Sequence, residues 1–236
     1  MFAIYKRELK SYFLTPAGYV FIGIFLLLGS VFFIIGNLAA RSGSMLSLLS
    51  NMSYVWMLLS PILSFILLSA RMDGGDQILF SSSLSLTRIV LGKYLAACTI
   101  LLISVSLSAV YPVMITLLGT LYIPETAVGY LGFILLGFSF LALDMLIASL
   151  TRTPMVAVIA SFGVHLLLWL SDLFAQAVSV PAVSSVLSFL SLYKRISPFL
   201  SGRLSLSSLL FDLSFCAVML FLCVRVLDSR RWRESA

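Results

Sequence analysis

The sequence predicts an all-α integral membrane protein with six transmembrane helices, and three observations carry that prediction. Of the 236 residues, 61% are hydrophobic and only 10% are charged, whereas soluble domains carry roughly 25% charge. The mean hydropathy is +1.14. The charges gather in short clusters between apolar runs of about 20 residues, the length that crosses a hydrocarbon core of ~30 Å. We therefore expect a single transmembrane domain, 1–236, with no soluble domain.

The first 16 residues predict a helix that lies in the membrane interface. Apolar and aromatic residues recur at steps of three and four, and the cations fall off that face. The apolar face holds Phe2, Tyr5, Leu9 and Tyr12, and the cations are Lys6, Arg7 and Lys10. Thr15 and Pro16 end this helix, because proline is tolerated in the first turn of a helix but not in its interior. The alternative is a charged extension of the first span.

Six apolar segments are long enough to cross the bilayer. They are residues 17–38, 53–70, 89–118, 127–150, 155–173 and 207–227. The third is longer than a bilayer requires and contains Pro112, which should kink it. A tight turn is expected from Tyr122 to Glu125, before the fourth span. The polar segment 71–88, between the second and third spans, predicts a short helix and a turn.

Residues 174–206 are apolar but cannot form one continuous span, because Pro181, Pro198, several serines and the pair Lys194 and Arg195 interrupt them. Non-helical backbone at membrane depth must be covered by protein. We therefore expect two short re-entrant helices that dip into the outer leaflet.

The distribution of lysine and arginine predicts the orientation. With the N-terminus in the cytoplasm, the inner loops hold eleven cations and the outer loops four. The inner set is Lys6, Arg7, Lys10, Arg71, Arg88, Lys93, Arg152, Arg225, Arg230, Arg231 and Arg233, and the outer set is Arg41, Lys194, Arg195 and Arg203. Both termini are then cytoplasmic, which requires an even number of spans, and the 71–88 segment faces the cytoplasm.

The sequence contains few of the residue patterns that an enzyme active site requires. It has one histidine and no Gly-x-x-x-x-Gly-Lys-Ser/Thr phosphate loop, and the stretch around Ser139 lacks the second glycine of a nucleophile elbow. The three cysteines, Cys98, Cys216 and Cys223, fall inside apolar runs and resemble small buried hydrophobes. We expect no catalytic residues, no metal site and no ATPase activity in this chain.

Three polar residues inside the spans remain as candidates: Asp144, His165 and Asp212. An ionisable group within a span is costly, so a functional role in substrate or proton handling is one reading. The other is that each acid reaches a partner or water near a helix end, and that His165 bonds a neighbouring helix.

Four short sequence motifs occur in order along the chain. They are IYKRELKSYFLTP at 4–16, VLGKYLAA at 90–97, SLTR at 149–152 and DSRRW at 228–232. They resemble the segments YKRELxSYFxSP, VLGKxLA, SLTRN and ESRRW of ABC-2 type transporter permeases, especially the bacterial branch that includes the gliding-motility permease subunits. Four matches in the same order, over nearly the whole chain, are more specific than any one alone.

This resemblance implies an ABC-2, or type V exporter-like, fold with an N-terminal elbow helix, a cytoplasmic coupling segment at 71–88 and re-entrant helices before the last span. The implied elbow residues are Tyr5, Lys6, Arg7, Glu8 and Tyr12. The residues implied to contact an ATPase are Asp73, Gly74, Gly75, Asp76, Gln77, Leu79, Phe80 and Leu84.

The resemblance also implies partners. Two permease subunits, in a homodimer or a heterodimer, would pair around a central path in the bacterial cytoplasmic membrane. Each would dock a separate ABC ATPase subunit that carries ATP and Mg, so that this chain binds no cofactor itself and no nucleic acid. An exporter is the expected direction.

One departure concerns the coupling segment, where the family form is EERRSGTxExLLxxP. Gly74 keeps the glycine, but Gly75 replaces the threonine, Gln77 the glutamate and Ser83 the proline, and Ser69 and Ala70 stand at the paired acids. The segment is still expected to contact an ATPase, and two rival functions stay open on other grounds. One is an ion-coupled secondary transporter that uses Asp144, and the other is a non-transporting membrane scaffold.

Overall fold

The computed structural model describes residues 2–72, 85–151, 153–177 and 192–234, and this part of the chain is helical with no strand. The helices are α1 (Phe2–Leu14), α2 (Pro16–Phe33, continued by the π-helical turn Ile34–Ala39), α3 (Leu46–Met72), α4 (Leu86–Leu107), α5 (Val110–Leu118), α6 (Ile123–Leu150), α7 (Pro154–Ala177), α8 (Leu192–Leu200) and α9 (Leu206–Glu234).

Six helical segments of this part are long and apolar enough to cross a membrane. They are Gly18–Ala39, Leu46–Leu63, Leu86–Leu117, Ile123–Leu150, Pro154–Ser171 and Leu206–Ser229. The predicted number of spans is therefore confirmed, and the architecture is that of an all-helical, multi-pass membrane protein.

Several helices extend beyond the predicted spans, because tertiary burial extends helices beyond their most apolar stretch. The helix that contains the second predicted span, 53–70, begins at Leu46, and its residues Leu48 and Leu49 are buried in the core. The expected turn before the fourth span is instead the first turn of α6, where Pro124 is tolerated because the missing N–H has no helical partner there. The last helix continues through the basic tail to Glu234.

The third span breaks one turn before Pro112, between α4 and α5. A proline lacks the N–H that would bond the carbonyl four residues earlier, and its ring clashes with that carbonyl, which here belongs to Ser108. The Ser108 carbonyl accepts instead from the N–H of Tyr111 at 3.0 Å and from the hydroxyl of Tyr130 on α6 at 3.2 Å. The predicted kink is thus present, and a neighbouring helix supplies a donor to it.

The centre of the bundle is α6, the most buried span, which contacts α3, α4, α7, α8 and α9. Next to it, aromatic side chains of three helices form a cluster. The ring centroids of Trp56 and Phe133 lie 5.4 Å apart, and those of Trp56 and Phe25 lie 5.5 Å apart. Such tilted contacts are favourable beyond their burial of apolar area, so this cluster fixes α2 and α3 against α6.

The two ends of the bundle carry different elements. At one end α1 packs against α4 and α2. At the other end α8 packs on the first half of α6, where a Cβ at Gly132 would lie within 2.3 Å of the Phe199 side chain, so that only glycine permits this approach. We call these the α1 end and the α8 end.

Of the predicted re-entrant segment 174–206, residues 174–177 continue α7 and residues 192–200 form α8. The face of α8 that packs inward holds Leu192, Tyr193, Ile196 and Phe199. Residues 178–191 lie outside the described residues, so the second re-entrant helix stays a prediction.

Candidate functional site

The N-terminal helix α1 is held to the bundle by a polar contact at its centre. The residues that α1 buries are Ile4, Glu8 and Tyr12, which follow one another at steps of four and so share one face. The predicted interfacial face through Phe2 and Leu9 is a different one, on which Phe2 is 75% exposed and Leu9 partly buried, and its place in the interface stays a prediction. Apolar periodicity could not reveal the buried face, since a glutamate lies at its centre.

Glu8 lies between two cations. Its Oε1 lies 2.7 Å from Nη2 of Arg7 and 3.6 Å from Nζ of Lys93 at the start of α4. The side chains of Glu8 and Lys93 are 4% and 9% exposed, whereas that of Arg7 is 48% exposed. Removing one member of a buried ion pair leaves the other charge uncompensated, at a cost of about 3–5 kcal/mol. The Glu8–Lys93 pair therefore couples α1 to α4.

Two tyrosines of α1 make further contacts around this pair. The hydroxyl of Tyr5 lies 3.0 Å from Oγ1 of Thr99 on α4, and that of Tyr12 donates to the carbonyl of Leu63 on α3 at 3.2 Å. Burial raises the pKa of Tyr12 well above its ordinary value, and the Glu8 carboxylate adds to this shift. Lys6, in contrast, is exposed. Of the five elbow candidates, Tyr5, Glu8 and Tyr12 therefore anchor α1.

The eight candidates for ATPase contact all lie outside the described residues. The described chain ends before them at Met72, the last residue of α3, and resumes at Ser85, directly before α4. Asp73, Gly74, Gly75, Asp76, Gln77, Leu79, Phe80 and Leu84 therefore stay a prediction. The structure does describe the next helix along the chain, which carries Lys93 about two turns after its start.

A second polar site lies inside the bundle, where three spans meet. Oδ1 of Asp144 on α6 lies 3.2 Å from Nε2 of His165 on α7, and Nδ1 of His165 lies 3.5 Å from Oγ of Ser60 on α3. All three residues are fully buried. The Phe140 ring, one turn before Asp144, lies 4.5 Å from the His165 ring. His165 therefore lies between two neighbouring helices, α3 and α6, with a polar side chain of each next to its ring.

This row of polar side chains, Ser60–His165–Asp144, brings together His165 and Asp144, which were separate candidates in the sequence. Ser60 was missed, because nothing distinguishes it from the other serines of a serine-rich chain. The order of atoms resembles that of a catalytic triad, but none of the three side chains is accessible to water, and a nucleophile must reach its substrate. In this conformation the three side chains form a polar contact between α3, α6 and α7.

Asp212 belongs to a separate contact, between α9 and α6. Its Oδ1 accepts a hydrogen bond from Oγ of Ser139 at 3.4 Å. Next to it, the guanidinium of Arg195 on α8 lies 4.3 Å from the centre of the Phe211 ring. The structure thus gives Asp212 a partner on a neighbouring helix, as one reading of the sequence expected, and does not bring it into the Asp144 site.

Two of the cavities among the described residues open near the ends of the bundle. The first, of about 440 Å³, lies at the α8 end between the end of α2 and the end of α5. The second, of about 640 Å³, lies between α4 and α9, and its lining includes Arg225 and Asp228. Within the described ranges, no group of three or more histidine, cysteine or acidic residues is placed to hold a metal ion.

No protein-family model matches the sequence, and no curated protein matches it.

Proposed function

We propose that this chain is the membrane permease subunit of an ATP-binding cassette exporter and that a separate ATPase subunit drives it. The observation that carries the proposal is the contact between Glu8 and Lys93. These residues belong to two of the four sequence motifs that resemble ABC-2 permeases, one at the N-terminus and one at the start of the third span. Their contact supports a shared role for the two motifs.

The position of this contact supports a mechanical role. The proposed ATPase-docking segment, 73–84, is followed within two residues by α4, and Lys93 lies about two turns after the start of that helix. A force on the segment would therefore reach α4 directly. The buried pair, together with the Tyr5–Thr99 contact, would pass it to α1, which rests in the membrane interface and braces the bundle.

The charge distribution supports the same orientation. The α1 end carries Lys6, Arg7, Lys10, Arg88 and Lys93, whereas Arg41, Lys194, Arg195 and Arg203 belong to the α8 end. The positive-inside rule then places the α1 end, and the docking segment with it, in the cytoplasm of a bacterial cell. That is the side on which ATP is found.

One observation favours the rival, an ion-coupled transporter. Asp144 and His165 are both ionisable, lie within spans and contact each other, as in intramembrane proton relays. Against this reading, both side chains have no exposed surface, so an ion has no path to them in this conformation. We therefore assign the Asp144–His165 pair a structural role. The ATPase-driven exporter remains the function that we propose.

The test is purification of the tagged chain from its native membrane in mild detergent, followed by identification of the proteins that accompany it. We expect a second permease chain or copy and a protein with a Gly-x-x-x-x-Gly-Lys-Ser/Thr phosphate loop. The ATPase should be lost from an Asp76→Ala/Phe80→Ala variant and retained by Arg203→Ala, an exposed control at the α8 end. If the wild-type chain repeatedly brings other proteins but no ATPase, the scaffold reading replaces the exporter.

A further inference from the structure

One face of α3 stays exposed although the rest of the helix is packed. Helix α3 contacts α2, α6 and α7, and the side chains that it leaves uncovered follow one another at steps of four, three and four. They are Ser47, Asn51, Tyr54 and Leu58, of which Tyr54 is 46% and Leu58 52% exposed. This is the spacing of the seam in a coiled coil of helices. We call these four residues the α3 face.

Asn51 places an amide on the α3 face within the membrane. It belongs to the segment Leu46–Leu63, which is apolar enough to span a membrane, and lies about 7.5 Å along the helix from Leu46. Ser47, which is one turn closer to the α8 end, already lies beside the first span, since a Cβ at Gly36 would be 3.7 Å from its Oγ. Asn51 therefore lies at a depth where lipid offers hydrocarbon.

The amide of Asn51 has no hydrogen-bond partner among the residues that the structure describes, although it carries two N–H donors and one acceptor oxygen. Exposed hydroxyls of other spans differ, because they donate to their own helix. Ser214 donates to the carbonyl of Phe211 at 2.8 Å, and Thr116 donates to that of Val113 at 2.7 Å. Hydrocarbon cannot satisfy an amide, so Asn51 requires a protein partner.

We propose that the α3 face binds the α3 face of a second copy of this chain. Two copies with the same topology pair about a two-fold axis along the membrane normal, so their α3 helices run parallel and each residue of the seam meets its own equivalent. Nδ2 of Asn51 then donates to Oδ1 of the partner's Asn51, and the partner returns the same bond. A single asparagine in a parallel seam fixes register and pairing in this way.

The chemistry of the face selects this occupant. An acyl chain has no donor or acceptor for the amide, whereas a second asparagine matches both its donor and its acceptor. The ring of Tyr54 is held by the ring of Tyr193 on α8, with centroids 5.4 Å apart, so the seam presents a fixed apolar surface next to the amide.

This pairing deepens the proposed function, which requires a second permease subunit, and makes that subunit a copy of the same chain. It involves no ATPase. A homodimer that no ATPase accompanies would refute the exporter and leave this interface intact, whereas a permease that binds an ATPase but does not pair through Asn51 would do the reverse.

Cysteine cross-linking in the native membrane tests the pairing, with the three native cysteines replaced by alanine and two differently tagged copies expressed together. Asn51→Cys and Leu58→Cys, which lie on the same seam, should each give a disulfide-linked dimer of the two tags on mild oxidation. Leu210→Cys is the matched control, because Leu210 is 58% exposed and lies four residues after the start of α9. It should stay monomeric.

A second measurement keeps the native cysteines and tests the amide itself. Asn51→Leu should weaken self-association in lipid vesicles about tenfold, measured by single-molecule photobleaching, because two hydrogen bonds between helices are lost. Asn51→Gln keeps the amide and should retain the dimer. Ser214→Leu, on the exposed surface of α9, should change nothing. Unchanged association of Asn51→Leu, equal cross-linking of Leu210→Cys, or a link from Asn51→Cys only to a different protein would each overturn the assignment.

Discussion

The carboxylate of Glu8 lies 3.6 Å from the ammonium group of Lys93, and both side chains are almost enclosed. We expect Glu8→Gln and Lys93→Met each to lower the free energy of unfolding by about 1–3 kcal/mol, because each removes one charge of a buried contact. The loss should stay below that of a lone buried charge, since Arg7 still lies 2.7 Å from Oε1 of Glu8 when Lys93 is replaced. The double variant should recover more than half of the summed loss, since neither charge remains. Thermal unfolding of the purified protein in detergent measures the three values.

The matched control for the lysine change is Lys10→Met, which alters an exposed cation of α1 and should leave stability within about 0.5 kcal/mol of the wild type. If the double variant loses the full sum of the two single losses, Glu8 and Lys93 are not coupled.

The pair of Asp144 and His165 distinguishes the proposed exporter from the ion-coupled rival. Under our account, Asp144→Asn costs about 1–3 kcal/mol of stability, because it alters a buried polar contact, and leaves proton movement unchanged. Proteoliposomes that enclose a pH-sensitive dye should acidify at the same rate with wild-type and variant protein under an imposed pH gradient. Faster proton entry with the wild type than with Asp144→Asn would support the rival.

The break in the third span gives a prediction about Tyr130. Tyr130→Phe removes the hydroxyl that donates to the Ser108 carbonyl and should cost about 1 kcal/mol. In a Pro112→Ala background the same change should cost less, since the alanine N–H can bond that carbonyl. Unfolding in detergent of the four proteins of this cycle provides the measurement. An equal cost of Tyr130→Phe in both backgrounds would contradict our explanation of the break.

How much of the fold could be predicted from sequence depends on the range of each interaction. The six spans and the helical class come from composition and from the length of the apolar runs, which are local properties. The start of helix α3 at Leu46 could not be predicted in this way, because polar residues such as Ser47 and Ser50 interrupt the apolar pattern while Leu48 and Leu49 pack the helix against the core.

The contacts of the polar residues depend on the tertiary arrangement. Asp144 and His165 were recognised as costly in a membrane, but sequence reasoning had no means to show that each is the other's partner. Glu8 was noted only as part of a resemblance. Its burial against Lys93 depends on how α1 lies along α4, and no apolar periodicity encodes that.

The orientation of the chain can be tested by labelling with a membrane-impermeant maleimide. Ser42→Cys, at the α8 end, should react in intact cells, whereas Ser82→Cys, in the segment between α3 and α4, should react only after permeabilisation. The native cysteines lie within spans, and Cys98 and Cys223 are buried, so the wild-type protein provides the background. The reverse pattern would place the α1 end outside the cell.

The most direct test of the central claim is site-specific photo-crosslinking in the native membrane, with a photoreactive phenylalanine analogue at Phe80. We predict a covalent product that contains an ATPase with a phosphate loop, and no such product with the analogue at Leu204, which is 68% exposed at the α8 end. If Phe80 yields only lipid adducts, or links to the ATPase no more than Leu204 does, the segment between α3 and α4 does not dock a motor and our account is contradicted.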